Sequence, residues 1–268
     1  MIPEPAPTVR ELLAFYLEAG VDCALAEEPV DRLAELDAPP PAPRAAPIEA
    51  PRPIAAPAVM RGEAAPAPDV AIASAREAAR TAPTLEALRE LMQNFEGCAL
   101  KHTATRLVFA DGNPQARIMF VGEAPGRDED IEGLPFVGRS GKLLDLMIGA
   151  IGLNRSTAYI TNVIPWRPPG NRTPTPQETQ VCLPFIQRHI ELVNPDVLVT
   201  LGNPSTQTLL STREGIMRTR GRWFDYDTGQ RTIRALPTFH PAYLLRSPSY
   251  KRLAWQDLRA IAKALAGA

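Results

Sequence analysis

The sequence predicts an α/β fold in which a parallel sheet carries helices on both faces. Three observations predict it. Short, almost wholly apolar runs alternate along the chain with longer segments of helical periodicity. The apolar runs lack the in/out alternation of a half-exposed sheet, as expected of strands buried on both faces. Each run then ends in a polar or turn-rich cluster, and in a doubly wound sheet such clusters meet at the carboxyl edge, where ligands bind.

Taken in order, Thr8-Val-Arg-Glu11 forms a capping box, and Leu12, Leu13, Tyr16 and Leu17 lay an apolar stripe on one short helix ending near Gly20. So short a helix is barely stable alone. It reads as a marginal amphipathic segment, with docking to a partner as the alternative. From Pro39 to Pro68, ten of thirty residues are proline and ten are alanine, which is the composition of a semi-extended linker. Order is expected to resume over 71–80, and after Thr84 the residues Leu85, Leu88, Met92 and Phe95 recur at helical spacing. The predicted strands are 117–121, 158–163, 197–201 and 234–238, and the predicted helices between them are 141–151, 176–193 and 204–210. The domain reading is a helical segment over 1–29, a linker over 30–70 and a globular domain over 71–268.

Composition narrows the function classes. With 29 basic and 30 acidic residues and a net charge of -1, nothing in the bulk charge draws the chain to nucleic acid or membrane, so any DNA contact must come from a local patch. No apolar run approaches the length of a membrane span. The start of the chain lacks a signal-peptide layout. Three widely spaced cysteines argue against a disulfide framework. The expected location is the cytoplasm, in a bacterial cytosol or nucleoid.

The four strand-end clusters hold the candidate chemistry: Gly122-Glu-Ala-Pro; Asn162 leading into Arg167-Pro-Pro-Gly-Asn-Arg172; Gly202-Asn203; and Phe239-His-Pro241. Phe136 sits among Gly and Pro residues, as a core aromatic or as a loop aromatic able to stack on a planar ring. Asn162 ends an apolar strand, either as a cap or as a bidentate reader of a base edge. His240 is structural, or it donates a hydrogen bond to developing negative charge. Gly138-Arg139-Ser140-Gly141 and the segment ending in Arg172 suit phosphate contacts through backbone N–H groups, Ser140 and the arginines. Leu244 to Arg252, with Arg246 among them, either wedge into a duplex or begin a core-facing helix.

Gly122-Glu-Ala-Pro-Gly126, Pro135-Phe-Val-Gly138, Ile160-Thr-Asn162, Arg167-Pro-Pro-Gly-Asn-Arg172 and His240-Pro-Ala-Tyr-Leu-Leu-Arg246, in this order from about residue 97 to 258, resemble the family 4 uracil-DNA glycosylases. The resemblance implies a three-layer α/β/α sandwich around a central four-stranded parallel sheet. It also implies a monofunctional DNA glycosylase of base-excision repair that flips deoxyuridine out of DNA and hydrolyses its N-glycosidic bond. Phe136 would stack on uracil, Asn162 would read its N3–H/O4 edge, and His240 would hydrogen-bond O2. Glu129 would stand near C5, Gly122, Glu123 and Ala124 would complete the base pocket, and Leu244 would fill the vacated stack. Arg139, Ser140, Gly141, Arg172 and Arg246 would hold the DNA backbone. Ala124 stands where the related family 1 enzymes carry an aspartate for the water. Glu123, Asp128 and Asp130 are therefore candidates by proximity, and Glu123 joins His240 and Asn162 as the catalytic set.

Family 4 members usually hold a [4Fe–4S] cluster through four cysteines, but Lys101 and Trp166 occupy two of those positions here, leaving Cys98 and Cys182. Cys23 lies beyond the linker, and His102 adds at most a third ligand. The expectation is therefore no cofactor and no metal. The expected partner is uracil-containing DNA, single- or double-stranded, met by a monomer, with the N-terminal tail a candidate to bind a repair or replication partner. The competing readings are a cluster-less protein that binds damaged DNA and a nucleoside hydrolase acting on free uridine.

Overall fold

The computed structural model describes residues 68–267. The expectations for the N-terminal helix and nearly all of the linker, and Cys23 with them, lie outside the described residues.

Six strands form one sheet: β1 (Asp111–Gly112), β2 (Ile118–Gly122), β3 (Tyr159–Asn162), β4 (Val197–Leu201), β5 (Phe224–Asp227) and β6 (Thr232–Thr238), in the order β1-β3-β2-β4-β6-β5. The inner four run parallel, as expected from their unbroken apolar runs. Short antiparallel strands at the two edges, β1 on β3 and β5 on β6, are additions to the expected four. Neither carries enough apolar residues to stand out in the sequence.

Alternate residues of each inner strand point into two separate cores. Met119, Val121, Leu198 and Ala235 enter one apolar cluster, whereas Ile118, Phe120, Val197, Val199 and Leu236 enter the other. The first core is covered by α1 (Pro68–Thr81), α2 (Leu85–Asn94) and the helix Pro176–Val193. The second is covered by the helix Arg139–Gly149 and the C-terminal helix Lys251–Ala266. Three layers result, matching the expected sandwich.

The remaining helices, in chain order, are α3 (Ala99–Thr103), α4 (Arg127–Glu132), α5 (Arg139–Gly149), α6 (Pro176–Val193), α7 (Asn203–Leu209), α8 (Ile216–Thr219), α9 (Pro241–Arg246) and α10 (Lys251–Ala266). The start of α6 is legible from its first residues. Thr175 Oγ1 accepts from the Glu178 N–H at 3.2 Å, the Glu178 carboxylate accepts from the Thr175 N–H at 2.7 Å, and Pro176 fills the first helical position.

One buried ion pair fixes the end of β6. The Asp257 carboxylate on α10 is 1% exposed; it accepts from Thr238 Oγ1 at 2.7 Å and is bridged by Arg220. Thr238 is the last residue of β6, two positions before His240. Removing the carboxylate strands a largely buried guanidinium, which costs about 3–5 kcal/mol. Asp257→Ala should therefore lower the midpoint of urea unfolding by that equivalent, measured at constant slope.

Candidate active site

The parallel register sets the site. Gly122 lies opposite Asn162, and Leu201 opposite Thr238, so the strands β3, β2, β4 and β6 end side by side. The chain continues past β3 in ladder fashion, with the Val163 and Ile164 N–H groups donating to the Gly122 and Glu123 carbonyls at 3.0 and 2.9 Å. The Glu123 backbone is thereby held, and its side chain faces the sheet edge. A cleft of about 350 Å³ opens there, lined by Glu123, Ala124, Glu129, Phe136, Asn162 and His240 together with Ser140, Arg172 and Arg246. Sequence positions more than a hundred residues apart thus meet in one concavity.

Asn162 is buried, and its Oδ1 has no hydrogen-bond partner. An orphaned buried acceptor costs about 1–3 kcal/mol, so the pocket is built for a donor that arrives with the ligand. Gly122 makes that placement possible: a Cβ there would lie 2.4 Å from Asn162 Oδ1 and 2.6 Å from Phe136 Cζ.

Phe136 forms the facing wall, its ring centroid 5.5 Å from that of His240. Its φ of +55° lies in the left-handed region that non-glycine residues rarely adopt. Two contacts hold it there. Arg155 donates to the Phe136 carbonyl at 2.5 Å and to the Pro135 carbonyl at 3.1 Å. Gly141 packs so closely that a Cβ would fall 1.7 Å from the Phe136 oxygen. Gly141 is therefore a packing position under the aromatic, whereas Ser140 beside it reaches the cleft. Arg155 was invisible to sequence reasoning because it sits at the far end of the fold's next segment, with no motif around it.

Glu129 lies in the cleft wall but is 7% exposed, and its carboxylate is fully engaged. It accepts from the N–H groups of Gly126 at 3.0 Å, Val137 at 3.1 Å and Gly138 at 3.1 Å. It clasps the two halves of the loop together. Asp130 is likewise committed, to the Thr105 N–H and hydroxyl and the Arg106 N–H. Asp128 is exposed and outside the cleft lining. Among the three acids named for the water, Glu123 alone faces the cavity, and desolvation raises its pKa above the usual carboxylate value.

His240 accepts the Ala242 N–H at its Nδ1, at 3.1 Å. The neutral ring's proton is thus placed on Nε2. Burial, aided by the Arg246 charge, lowers its pKa to about 4. The ring is a neutral donor at neutral pH.

The DNA-contact expectations divide. Arg139 and Arg246 are exposed, and Arg246 borders the cleft. Arg172 also borders it, but its guanidinium is bidentate to Glu178 at 2.6 and 2.9 Å. Leu244 is 1% exposed and packs in the core with α5 and α10, so it is no wedge. The reason is helical period: Pro241 and Leu244, three apart on α9, share its buried face. On the same helix Arg246 is exposed and Leu245 is half-buried.

The uracil DNA glycosylase superfamily model matches residues 109–259. The chain is 40% identical over 183 residues to a type-4 uracil-DNA glycosylase of Sulfurisphaera tokodaii, covering 66% of this chain and 83% of that protein. It is 41% identical over 177 residues to the type-4 uracil-DNA glycosylase of Thermotoga maritima, covering 65% and 91%. With that of Archaeoglobus fulgidus it shares 39% identity over 178 residues, covering 65% and 89%.

These relatives correct the expectation of a cofactor-free protein, because the type-4 family binds a [4Fe–4S] cluster and so implies one. The described donor set does not fit that group. Cys98 and Cys182 are buried with their sulfurs 3.9 Å apart, but Lys101 is paired with Glu96 and Trp166 is a buried ring in the same apolar cluster. His102 is exposed and lies 3.6 Å from Glu96. Among the described residues, no group of three or more His, Cys, Asp or Glu could hold a metal ion.

The tautomer argument has a direct check. In a ¹⁵N-labelled sample, Nδ1 of His240 should show the shift of an unprotonated nitrogen at pH 7, and the ring should titrate near pH 4 rather than 6.5.

Proposed function

The chain belongs to the uracil-DNA glycosylase superfamily, and from that premise we propose that it removes uracil from DNA, leaving an abasic site for base-excision repair in the cytosol. The observation that carries this reading is the buried, unpartnered Oδ1 of Asn162 in a cleft walled by Phe136 and His240. Uracil presents N3–H and O4, which match the Oδ1 acceptor and the Nδ2 donor of one amide. Cytosine presents a lone pair at N3 and an amino group, so the same amide meets it with reversed polarity and the acceptor stays orphaned.

A base within the stack cannot reach this cleft, so the nucleotide is extruded, and its base lies against Phe136. Leu245, half-buried on α9 beside the exposed Arg246, takes the place assigned from sequence to Leu244. The first-turn N–H groups of α5, Ser140 and the exposed Arg139 and Arg246 contact phosphates. As the C1′–N1 bond breaks, its electron pair stays on the uracil. The Nε2–H of neutral His240 donates to O2, where the charge develops. Water adds to the sugar at C1′, and Glu123 takes its proton. Glu129 holds the loop rather than the base. The protein acts as a monomer, with residues 1–29 a candidate to engage a repair or replication partner.

The two alternatives are not favoured. The matched family and the similar relatives are all named for DNA, which separates the chain from enzymes of free nucleosides. A binding protein without activity has no need of an ionisable Glu123 beside a neutral histidine.

Single-turnover release of uracil from labelled oligonucleotides tests the proposal. Release is expected from DNA and not from free deoxyuridine; tight binding without release would overturn it. Asn162→Asp should lower the uracil-to-cytosine rate ratio by roughly tenfold or more, since the amide's polarity is worth about 1–3 kcal/mol. The pH dependence carries a sign. Glu123 acts when ionised, so the rate should rise with pH through a value above the usual carboxylate range, with no inflection near 6.5 from His240. Glu123→Gln should abolish that rising limb and lower the rate on the order of 10²–10⁴-fold.

A further inference from the structure

We propose that Asn203 orients the attacking water, its Oδ1 accepting the O–H that Glu123 does not take. The inference rests on the glycosylase reading above and adds a positioning residue to it.

Sheet order is the first observation. Reading across the carboxyl edge, β3 ends at Asn162, β2 delivers Glu123, β4 delivers Gly202-Asn203, and β6 delivers His240. Asn203 therefore stands between the strand that carries the acid and the strand that carries the histidine. Gly202 brings it there. Its φ is +91°, its N–H donates to the Thr238 carbonyl at 2.8 Å, and a Cβ would lie 2.9 Å from the Cβ of His240. The chain can turn tightly beside the histidine only because this position lacks a side chain.

The second observation is a cavity of about 510 Å³ that shares Glu123, Ala124, His240 and Arg246 with the base cleft and extends past Asn203. It adjoins the base site on the side away from Asn162, where a sugar attached to the bound base must lie. The third is that Asn203 Oδ1 is shielded from solvent and has no hydrogen-bond partner. Among the described residues, only two buried side-chain polar atoms are left so, and the other belongs to Asn162, the base reader. One orphaned acceptor awaits the base and the other awaits the water.

A water nucleophile has two O–H bonds to place. With one directed at the Glu123 carboxylate and the other at Asn203 Oδ1, a lone pair faces C1′. The C1′–N1 bond breaks with its pair retained by uracil, and the water oxygen bonds to C1′. One proton passes to Glu123, and the other remains on the new 1′-hydroxyl, still donated to Asn203. No further reagent is required.

The test separates orientation from folding and from DNA binding. Asn203→Leu keeps the volume and removes the acceptor, whereas Asn203→Asp keeps an acceptor. Two measurements are made on each: the single-turnover rate on uracil DNA, and the dissociation constant for DNA carrying a 2′-fluoroarabino analogue of deoxyuridine that resists hydrolysis. Asn203→Leu is expected to lose about 10²-fold in rate while the dissociation constant stays within threefold. Asn203→Asp is expected to recover at least tenfold of that loss. It should also move the rising pH limb upward, because a second carboxylate opposes ionisation of Glu123; His240, Tyr243 and Arg246 are the other titratable or charged groups on this cavity. The proposal is overturned if Asn203→Leu retains the wild-type rate, if Asn203→Asp is as slow as Asn203→Leu, or if the whole loss appears in analogue binding. Failure of the wild-type protein to release uracil would instead sink the glycosylase reading, so the two failures are distinct.

Discussion

The parallel register of β3, β2, β4 and β6 is the constraint on which the rest depends. Because Gly122 pairs with Asn162 and Leu201 with Thr238, four consecutive strands stop within a residue or two of one line. Everything chemical lies just beyond that line. A slip of one residue in any strand would exchange its two faces, turning residues built for one core toward the other and withdrawing the polar side chain beyond its end. The two apolar cores on opposite faces therefore do more than stabilise the sheet: they fix which residue leads at the edge.

Loops at such an edge need their own restraint, and here it comes from backbone donors meeting buried carboxylates. Glu129 gathers three N–H groups from both sides of the loop around Phe136, and Asp130 ties the start of β1's approach to the same helix. Each carboxylate satisfies donors that a tight turn would otherwise leave unpaired. Phe136 then tolerates an unfavourable φ because Arg155 and Gly141 hold its carbonyl from two directions. Rigidity at the aromatic is thus bought with charges that do no chemistry themselves. The same logic explains why Asp128, on the exposed side of α4, is left out.

Much of this was legible in the sequence. The inner strands announce themselves through unbroken apolar runs and α6 through its helical pattern over 176–193, and the four strand-end clusters hold Asn162, Glu123 and His240. What stayed hidden depends on three-dimensional company. β1 and β5 are too short or too polar to carry a pattern. Leu244 reads as a wedge only until the turn of α9 puts it on the buried face. Glu129 reads as a base contact until its lone pairs are counted. Asn203 follows a strand, as the other site residues do, but an asparagine before proline has an ordinary explanation as a helix start. Only the orphaned acceptor distinguishes it. The cofactor expectation was misled differently: counting thiols in one chain led to a conclusion that the relatives' family overturned.

The site's electrostatics follow from a single cause acting on two groups. Desolvation favours neutral forms, so it lowers the His240 pKa and raises that of Glu123. For the role proposed for the histidine this is the useful direction, since a neutral Nε2–H can donate to a carbonyl oxygen without giving up its proton. For the proposed role of the glutamate it is a cost, because the acid must ionise before it can accept a proton from water. That cost is offset at the moment it matters. In the proposed reaction, positive charge gathers on the sugar as the glycosidic bond opens, and a carboxylate poorly solvated by its pocket would be stabilised by that cation instead. The interaction is weak with bound substrate and strong in the transition state, which is the only kind that raises the rate of the chemical step.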